Sequence, residues 1–117
     1  MRWPWTYRRD LYASVDNAVK LTRQWIDVQH VPVRHIETVA AFERWSKHLG
    51  VWFFYETDAQ RCHGEESDLS NAMRERFLRA LKESGYPDAY LPLVSFAFDS
   101  HETVLRDYCG SYFNRLR

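Results

Sequence analysis

The sequence predicts a single compact α+β domain spanning residues 1–117, with a three- or four-stranded sheet packed by three main helices. Three observations point there. The first is a chain of 117 residues that is 45% hydrophobic and 27% charged, which suits one globular domain with a real core. The second is a set of stretches with apolar residues at helical spacing. The third is a pair of short apolar runs, 51–55 and 93–99, bounded by turn-forming residues. Helices and strands are mixed along the chain, and no linker or internal repeat divides it.

Residues 1–6, with Trp3-Pro4-Trp5, read as an extended N-terminal arm, because proline biases the residue before it away from the helical region. A first helix follows from about Tyr7 to Asp27. Leu11, Val15, Ala18 and Trp25 form its apolar stripe, widened by Tyr12, Val19 and Ile26. Pro32 prevents this helix from continuing, and Val31, Val33 and Ile36 suit a short edge strand. Thr38 then reads as the N-cap of a second helix through His48, with Val39, Phe42, Trp45 and Leu49 as its apolar face and Gly50 just beyond its end.

"VWFFYET" is the clearest strand: five consecutive bulky apolar residues, Val51 to Tyr55, suit burial on both faces. Residues 58–66 are polar and read as a loop. Ser67, Asp68 or Ser70 caps a third helix to about Ser84, with Leu69, Met73, Phe77, Ala80 and Leu81 inward and Gly85 closing it. "LVSFAFD" alternates Val94, Phe96 and Phe98 with Ser95 and Ala97, the period of a strand. Ser100 caps a short helix from His101 to Tyr108, Gly110 breaks it, and "SYFNRL" reads as a final strand. Trp45, Phe53, Phe77, Phe96 and Phe98 are the expected centre of the core.

Sixteen basic residues balance sixteen acidic ones. A neutral chain exerts no general attraction on nucleic acid or on an anionic membrane. Two distant cysteines, Cys62 and Cys109, suit free thiols in a reducing compartment rather than a disulfide scaffold. The first residues lack the apolar stretch of a signal peptide, and no run is long enough to span a bilayer. The expected location is the cytoplasm.

Each cluster of reactive residue types has a plain structural explanation beside it. Cys62, His63, Glu65 and Glu66 are the right ligand types for zinc, but neighbours in sequence point apart, and a solvated acidic loop accounts for them. Asp99-Ser100-His101 follows a strand, where catalytic groups often sit, yet Ser100 and Asp99 are also the preferred residues of a helix start. Glu56 and Asp58 share one side of an extended chain, as paired carboxylates or as a polar rim. The five histidines, 30, 35, 48, 63 and 101, show no i, i+4 pair for a metal. No cofactor or metal is expected.

Nineteen aromatic residues — five Trp, seven Tyr, seven Phe — exceed what a small interior hides easily. Trp3, Trp5 and Tyr7 are interleaved with Arg2, Arg8 and Arg9. That arm suits a protein groove, single-stranded nucleic acid, or folding back as core.

Residues 94–117, "VSFAFDSHETVLRDYCGSYFNRLR", run through strand, Asp-Ser cap, short helix, glycine and aromatic strand. That pattern resembles the ends of small bacterial immunity proteins of toxin–immunity systems, including contact-dependent growth inhibition. The resemblance covers about a fifth of the chain and brings no enzyme residues. It implies a small cytoplasmic protein that binds and blocks one cognate toxin domain. Inhibitors of nucleases are often strongly acidic, whereas this chain is neutral. Only the stretch from Glu56 to Asp68 imitates an anionic substrate.

The resulting expectation is a non-enzymatic protein-binding domain acting by steric occlusion. Trp3, Trp5 and Tyr7 are its anchors, and Glu56, Asp58, Glu65, Glu66 and Asp68 its charged rim. The alternatives are a small enzyme using Asp99, His101 and Glu56 at the strand ends, and a single-stranded nucleic-acid-binding module using the arm.

Overall fold

The computed structural model describes residues 4–40, 42 and 47–116, without the side chains of residues 4–7, 113 and 114. Five α-helices and three strands are seen among them: α1 (Pro4–Gln29), β1 (Val33–Ala40), β2 (Leu49–Tyr55), α2 (Asp58–Glu66), α3 (Leu69–Glu83), β3 (Val94–Ser100), α4 (His101–Tyr108) and α5 (Tyr112–Leu116), with a 3₁₀ turn at Asp88–Leu93. The strand order is β1-β2-β3. β1 runs antiparallel to β2, and β2 runs parallel to β3. The α+β expectation holds, with three strands.

α1 starts three residues before the expected helix, so residues 4–6 are helical rather than extended. Proline is well tolerated in a first helical turn, where its missing N–H has no intrahelical acceptor to lose. Most of the stripe is as expected: Leu11, Val15, Ala18 and Ile26 are buried and Val19 and Trp25 partly buried, but Tyr12 is exposed. α1 and α3 pack together. Ser14 near one end of the contact donates to the carbonyl of Ser84 (3.0 Å), and Asn17 donates to the Ser84 hydroxyl (2.8 Å).

The largest correction lies between residues 33 and 50. No helix starts at Thr38; it lies in β1 opposite Val51, and Gly50 lies in β2 opposite Val39. The β-branched residues of Val33–Ala40 win over the capping signal, because this segment pairs with the apolar β2 along its length. Trp45, expected in the core, falls outside the described residues.

Alternate residues of β2 face two layers. Leu49, Val51, Phe53 and Tyr55 enter one cluster with the inner faces of α1 and α3, including Phe77 and Leu81. In register beside them, Val94, Phe96 and Phe98 of β3 are half-buried against the same cluster. Phe53 stacks on Phe98 (centroids 5.4 Å) and meets Phe77 edge-on (6.2 Å). Gly50, Trp52 and Phe54 face the other way, and α5 lies across that side: Tyr112 meets Phe54 edge-on at 4.7 Å.

Residues 58–66 form a helix, not a loop. Thr57 and Gln60 make a reciprocal capping box, a pattern that satisfies two otherwise orphaned amides. Gly64 fits because α2 lies close on β2. A Cβ there would sit 2.2 Å from the Tyr55 hydroxyl oxygen, which bonds Ser70 Oγ at 2.8 Å. The C-terminal segment is likewise a short helix rather than a strand. Cys109 (φ 52°) and Gly110 (φ 81°) turn the chain sharply in the left-handed region, and α5 then docks by its side chains. The resemblance of residues 94–117 to immunity proteins therefore loses its final aromatic strand, although the strand, cap and short helix are present.

Candidate functional site

β2 and β3 are parallel, so their carboxyl ends lie side by side, and a helix leaves each. This edge of a sheet is where α/β proteins commonly bind ligands. It brings together Glu56, Asp58, Asp99, Ser100, His101 and Glu102, which include all three candidate catalytic residues.

Two helix N-termini meet at this edge and are bonded to each other. Ser100 is the N-cap of α4, accepting from Thr103 N at 3.0 Å. Its hydroxyl donates to Asp58 Oδ1, to which Thr103 Oγ1 also donates at 2.9 Å. In return, Glu102 Oε1 of α4 accepts from the Asp58 amide at 3.2 Å. Arg106 closes the group, with Nη1 at 3.2 Å from Asp58 Oδ2. The Ser100 and Thr103 hydroxyls, with Arg106, hold the Asp58 carboxyl down at about 2. Asp58 is therefore an anion that joins α2 to α4. Asp58 is helical, so Glu56 and Asp58 do not form a pair on one side of an extended strand.

The second group lies on the outer face of the sheet. Asp99 is nearly buried, takes a hydrogen bond from the Ser100 amide (2.8 Å) and pairs with Arg115 Nε at 2.5 Å. The Arg115 guanidinium lies 4.6 Å from the Trp52 ring centroid and 5.5 Å from that of Tyr108, a cation–π setting. One turn earlier on α5, Tyr112 places its hydroxyl 2.6 Å from His101 Nδ1. His35 packs tilted against the Tyr112 ring, centroids 4.6 Å apart, and places Nε2 2.6 Å from Glu37 Oε2. Burial pushes the Tyr112 phenol up, and the neighbouring Arg34 offsets part of that. Arg34 also pairs with Glu56 at 3.5 Å.

The three candidate catalytic residues thus share a region but not a focus. Asp99 faces Arg115, His101 faces Tyr112, and Glu56 faces Arg34. The candidate binding residues are more dispersed. Trp3 lies outside the described residues, and Trp5 and Tyr7 are described only as helical backbone. Glu65 pairs with Arg61 one turn away on α2 (3.0 Å), and Glu66 ends that helix. Asp68 is the N-cap of α3, with φ 64° and no side-chain cap bond. Asp58 and Glu66 stand at opposite ends of a nine-residue helix, about 12 Å apart along its axis. The acids do not make one continuous rim. Cys62 and Cys109 are free, exposed thiols. Among the described residues no group of three His, Cys, Asp or Glu is placed to hold a metal ion.

Comparison with known protein families, curated proteins and solved structures returns no match.

Two shallow concavities lie on the helical layer. One, of about 250 Å³, runs between α1 and α3 and is lined by Trp25, Ala72, Glu75, Arg76 and Arg79. The other lies at the opposite end of the α1–α3 contact, beside Asp10, Ser14, Asn17 and Ser84. Among the described residues no helix is long and apolar enough to cross a membrane.

Sequence reasoning missed Tyr112, Arg115 and Trp52 as a group. Tyr112 and Arg115 are three apart, a spacing that shares a face only on a helix. Reading that segment as a strand puts them on opposite sides. The capping box at Thr57 and Gln60 was a usable signal for α2.

Proposed function

We propose that this chain is a non-enzymatic protein-binding domain. One observation carries the reading: the ionisable groups at the strand ends are each held by a partner within the molecule. Asp58 is held by two hydroxyls and Arg106, Asp99 by Arg115, and His101 by Tyr112. A general base needs a proton to take from a substrate within hydrogen-bond reach. Each of these bonds has a structural role: Asp58 ties α2 to α4, His101 ties α4 to α5, and Asp99 ties α5 to β3. The specific version is a cytoplasmic immunity protein that occludes one toxin domain. It rests on the resemblance of residues 94–117 and agrees with two free thiols.

The test is to purify the products of the neighbouring reading frames and mix each with this protein. A one-to-one complex by sedimentation, with loss of the partner's toxicity, is the expected result. Turnover of a small substrate that Asp99→Asn and His101→Gln abolish, without any complex, would establish the enzyme reading instead.

A further inference from the structure

We propose that the groove between α1 and α3 is the docking site for a short acidic segment of a partner protein, one that places an apolar side chain on Trp25 and a carboxylate on Arg76 and Arg79. This rests on the protein-binding reading above and names the surface and the partner's chemistry.

The groove has a simple origin. Ala72, Glu75, Arg76 and Arg79 fall at i, i+3, i+4 and i+7, so they share one face of α3. Ala72 is the small residue among them. Beside the half-buried Trp25 it leaves the space of about 250 Å³, with the two arginines continuing the wall. From Ala72 to Arg79 the wall extends about 10 Å along the helix, the reach of three or four residues of an extended peptide.

The charges in the groove are unspent. Among the described residues, neither Arg76 nor Arg79 has a hydrogen-bond or ion-pair partner, and Arg76 Nε is shut away from solvent with no acceptor. A buried donor without an acceptor is uncommon and costly, so the Arg76 side chain has bonding capacity that no group among the described residues takes up. Arg23, Arg34, Arg61, Arg106 and Arg115 have carboxylate partners, whereas Arg74, also on α3, has none among the described residues. α3 itself carries four basic residues against two acidic ones, so the helical layer is locally basic on a neutral chain. Trp and Arg are the residue types that dominate binding energy at protein interfaces. Glu75 stands in the same wall and repels a polyanion. A segment with one or two carboxylates therefore fits better than a nucleic-acid backbone.

The experiment uses the full chain, labelled with nitrogen-15, and the capped tetrapeptide acetyl-Leu-Glu-Glu-Leu-amide as probe. Proton–nitrogen NMR reads the Trp25 indole N–H and the Arg76 and Arg79 Nε–H directly. The expected result is saturable shifts confined to those groups and to the amides of residues 72–79. They should weaken at least tenfold in apparent affinity with Arg76→Gln/Arg79→Gln. Ala72→Leu, which fills the groove without changing its charge, should weaken them as much. Glu75→Gln should tighten binding about threefold, the change expected from removing one exposed like charge. Equal shifts from the Gln-for-Glu peptide, shifts spread over all surface arginines, unaltered binding by both groove variants, or no shifts would each overturn the proposal. The two readings separate cleanly. If a partner complex forms and both groove variants leave it intact, the groove fails and protein binding stands. If the probe binds the groove but no neighbouring product forms a complex, the groove stands and the immunity reading fails.

Discussion

Phe53 and Phe54 are neighbours in β2 and both are fully buried, yet they look into different chemistry. Phe53 faces α1 and α3 and touches Phe77, Phe96 and Phe98. Phe54 faces α5 and is surrounded by Trp52, Tyr112 and His35, with an Arg–Asp pair a few residues away. The inner face is held by burying apolar area, which is non-directional and large in total. The outer face is held by a handful of directional contacts made by a five-residue helix. A helix that short has little stability of its own, so its side chains must fasten it to the sheet.

That contrast predicts a hierarchy of effects. Phe53→Ala should be the most damaging single substitution on either face, at about 3–5 kcal/mol, because it removes a large ring from a closed cluster. Thermal unfolding should remain a single transition with a much lower midpoint. A change below about 1 kcal/mol would mean that the inner face is not the main core.

Arg115→Gln should cost less, about 1–2 kcal/mol. The ion pair is partly shielded, with side-chain exposures of 27% and 10%, and its loss leaves the Asp99 carboxylate without its main partner. The effect should stay local. Hydrogen exchange should quicken in residues 111–116 while the amides of α1 and α3 remain protected. Acceleration across the whole chain would show that α5 belongs to the same cooperative unit as the inner core.

How much of this is readable in the sequence divides along the same line. The inner face is legible, because α1, α3 and β2 repeat apolar residues at the periods of helix and strand. Leu11, Val15, Met73 and Phe77 need no knowledge of their partners to be assigned inward. The outer face is not legible. It depends on which strands pair, since His35 meets Phe54 only through the β1–β2 register. It also depends on α5 returning to the sheet after the Cys109–Gly110 turn. Thr38 fails for a related reason: a local capping signal is overridden by pairing with Val51, a partner thirteen residues away. The candidate site follows suit. Asp99 and His101 stand out in the sequence for following a strand, but their partners Arg115 and Tyr112 come from a segment whose sequence reads as extended. The groove residues Trp25 and Arg76 sit on helices that the sequence does announce, and what hides them is the packing of one helix against another.

Asp58→Asn tests the junction between α2 and α4. Its carboxyl is held at about 2 in the folded protein, against about 3.9 in an unfolded chain. A depressed carboxyl stabilises the fold at pH values above about 4, and that contribution is lost as pH falls through about 2. A third of the side chain is exposed, so solvent screening reduces the effect to about 1 kcal/mol at neutral pH. Urea unfolding at pH 7 and at pH 2 is the measurement. The variant should be weaker at pH 7 and nearly equal to the parent at pH 2. An equal deficit at both would assign the loss to packing instead of charge.

The smallest effects give the sharpest comparison, because the same atom can be removed from both faces. Tyr86 belongs to the inner cluster, is 2% exposed, and its hydroxyl has no hydrogen-bond partner among the described residues. Burial, with Tyr90 beside it, pushes its phenol up to about 12. Tyr112 on the outer face has its hydroxyl 2.6 Å from His101 Nδ1. Removing an unpartnered buried hydroxyl costs nothing in lost bonding and relieves a desolvation penalty, whereas removing a bonded one sacrifices about 1 kcal/mol. Tyr86→Phe should therefore be neutral or slightly stabilising at pH 7, and Tyr112→Phe should destabilise by about 1 kcal/mol. The alkaline side adds an independent sign. A phenol whose folded pKa is raised contributes stability fully present below about pH 10 and lost as pH rises towards 12. Tyr86→Phe should remove part of that loss, so its advantage over the parent should grow between about pH 10 and 12. Denaturant midpoints for the parent and both variants at pH 7 and pH 11 are sufficient to read all of this. Equal costs for the two tyrosines at pH 7 would mean that the inner face, too, is held by directional bonds.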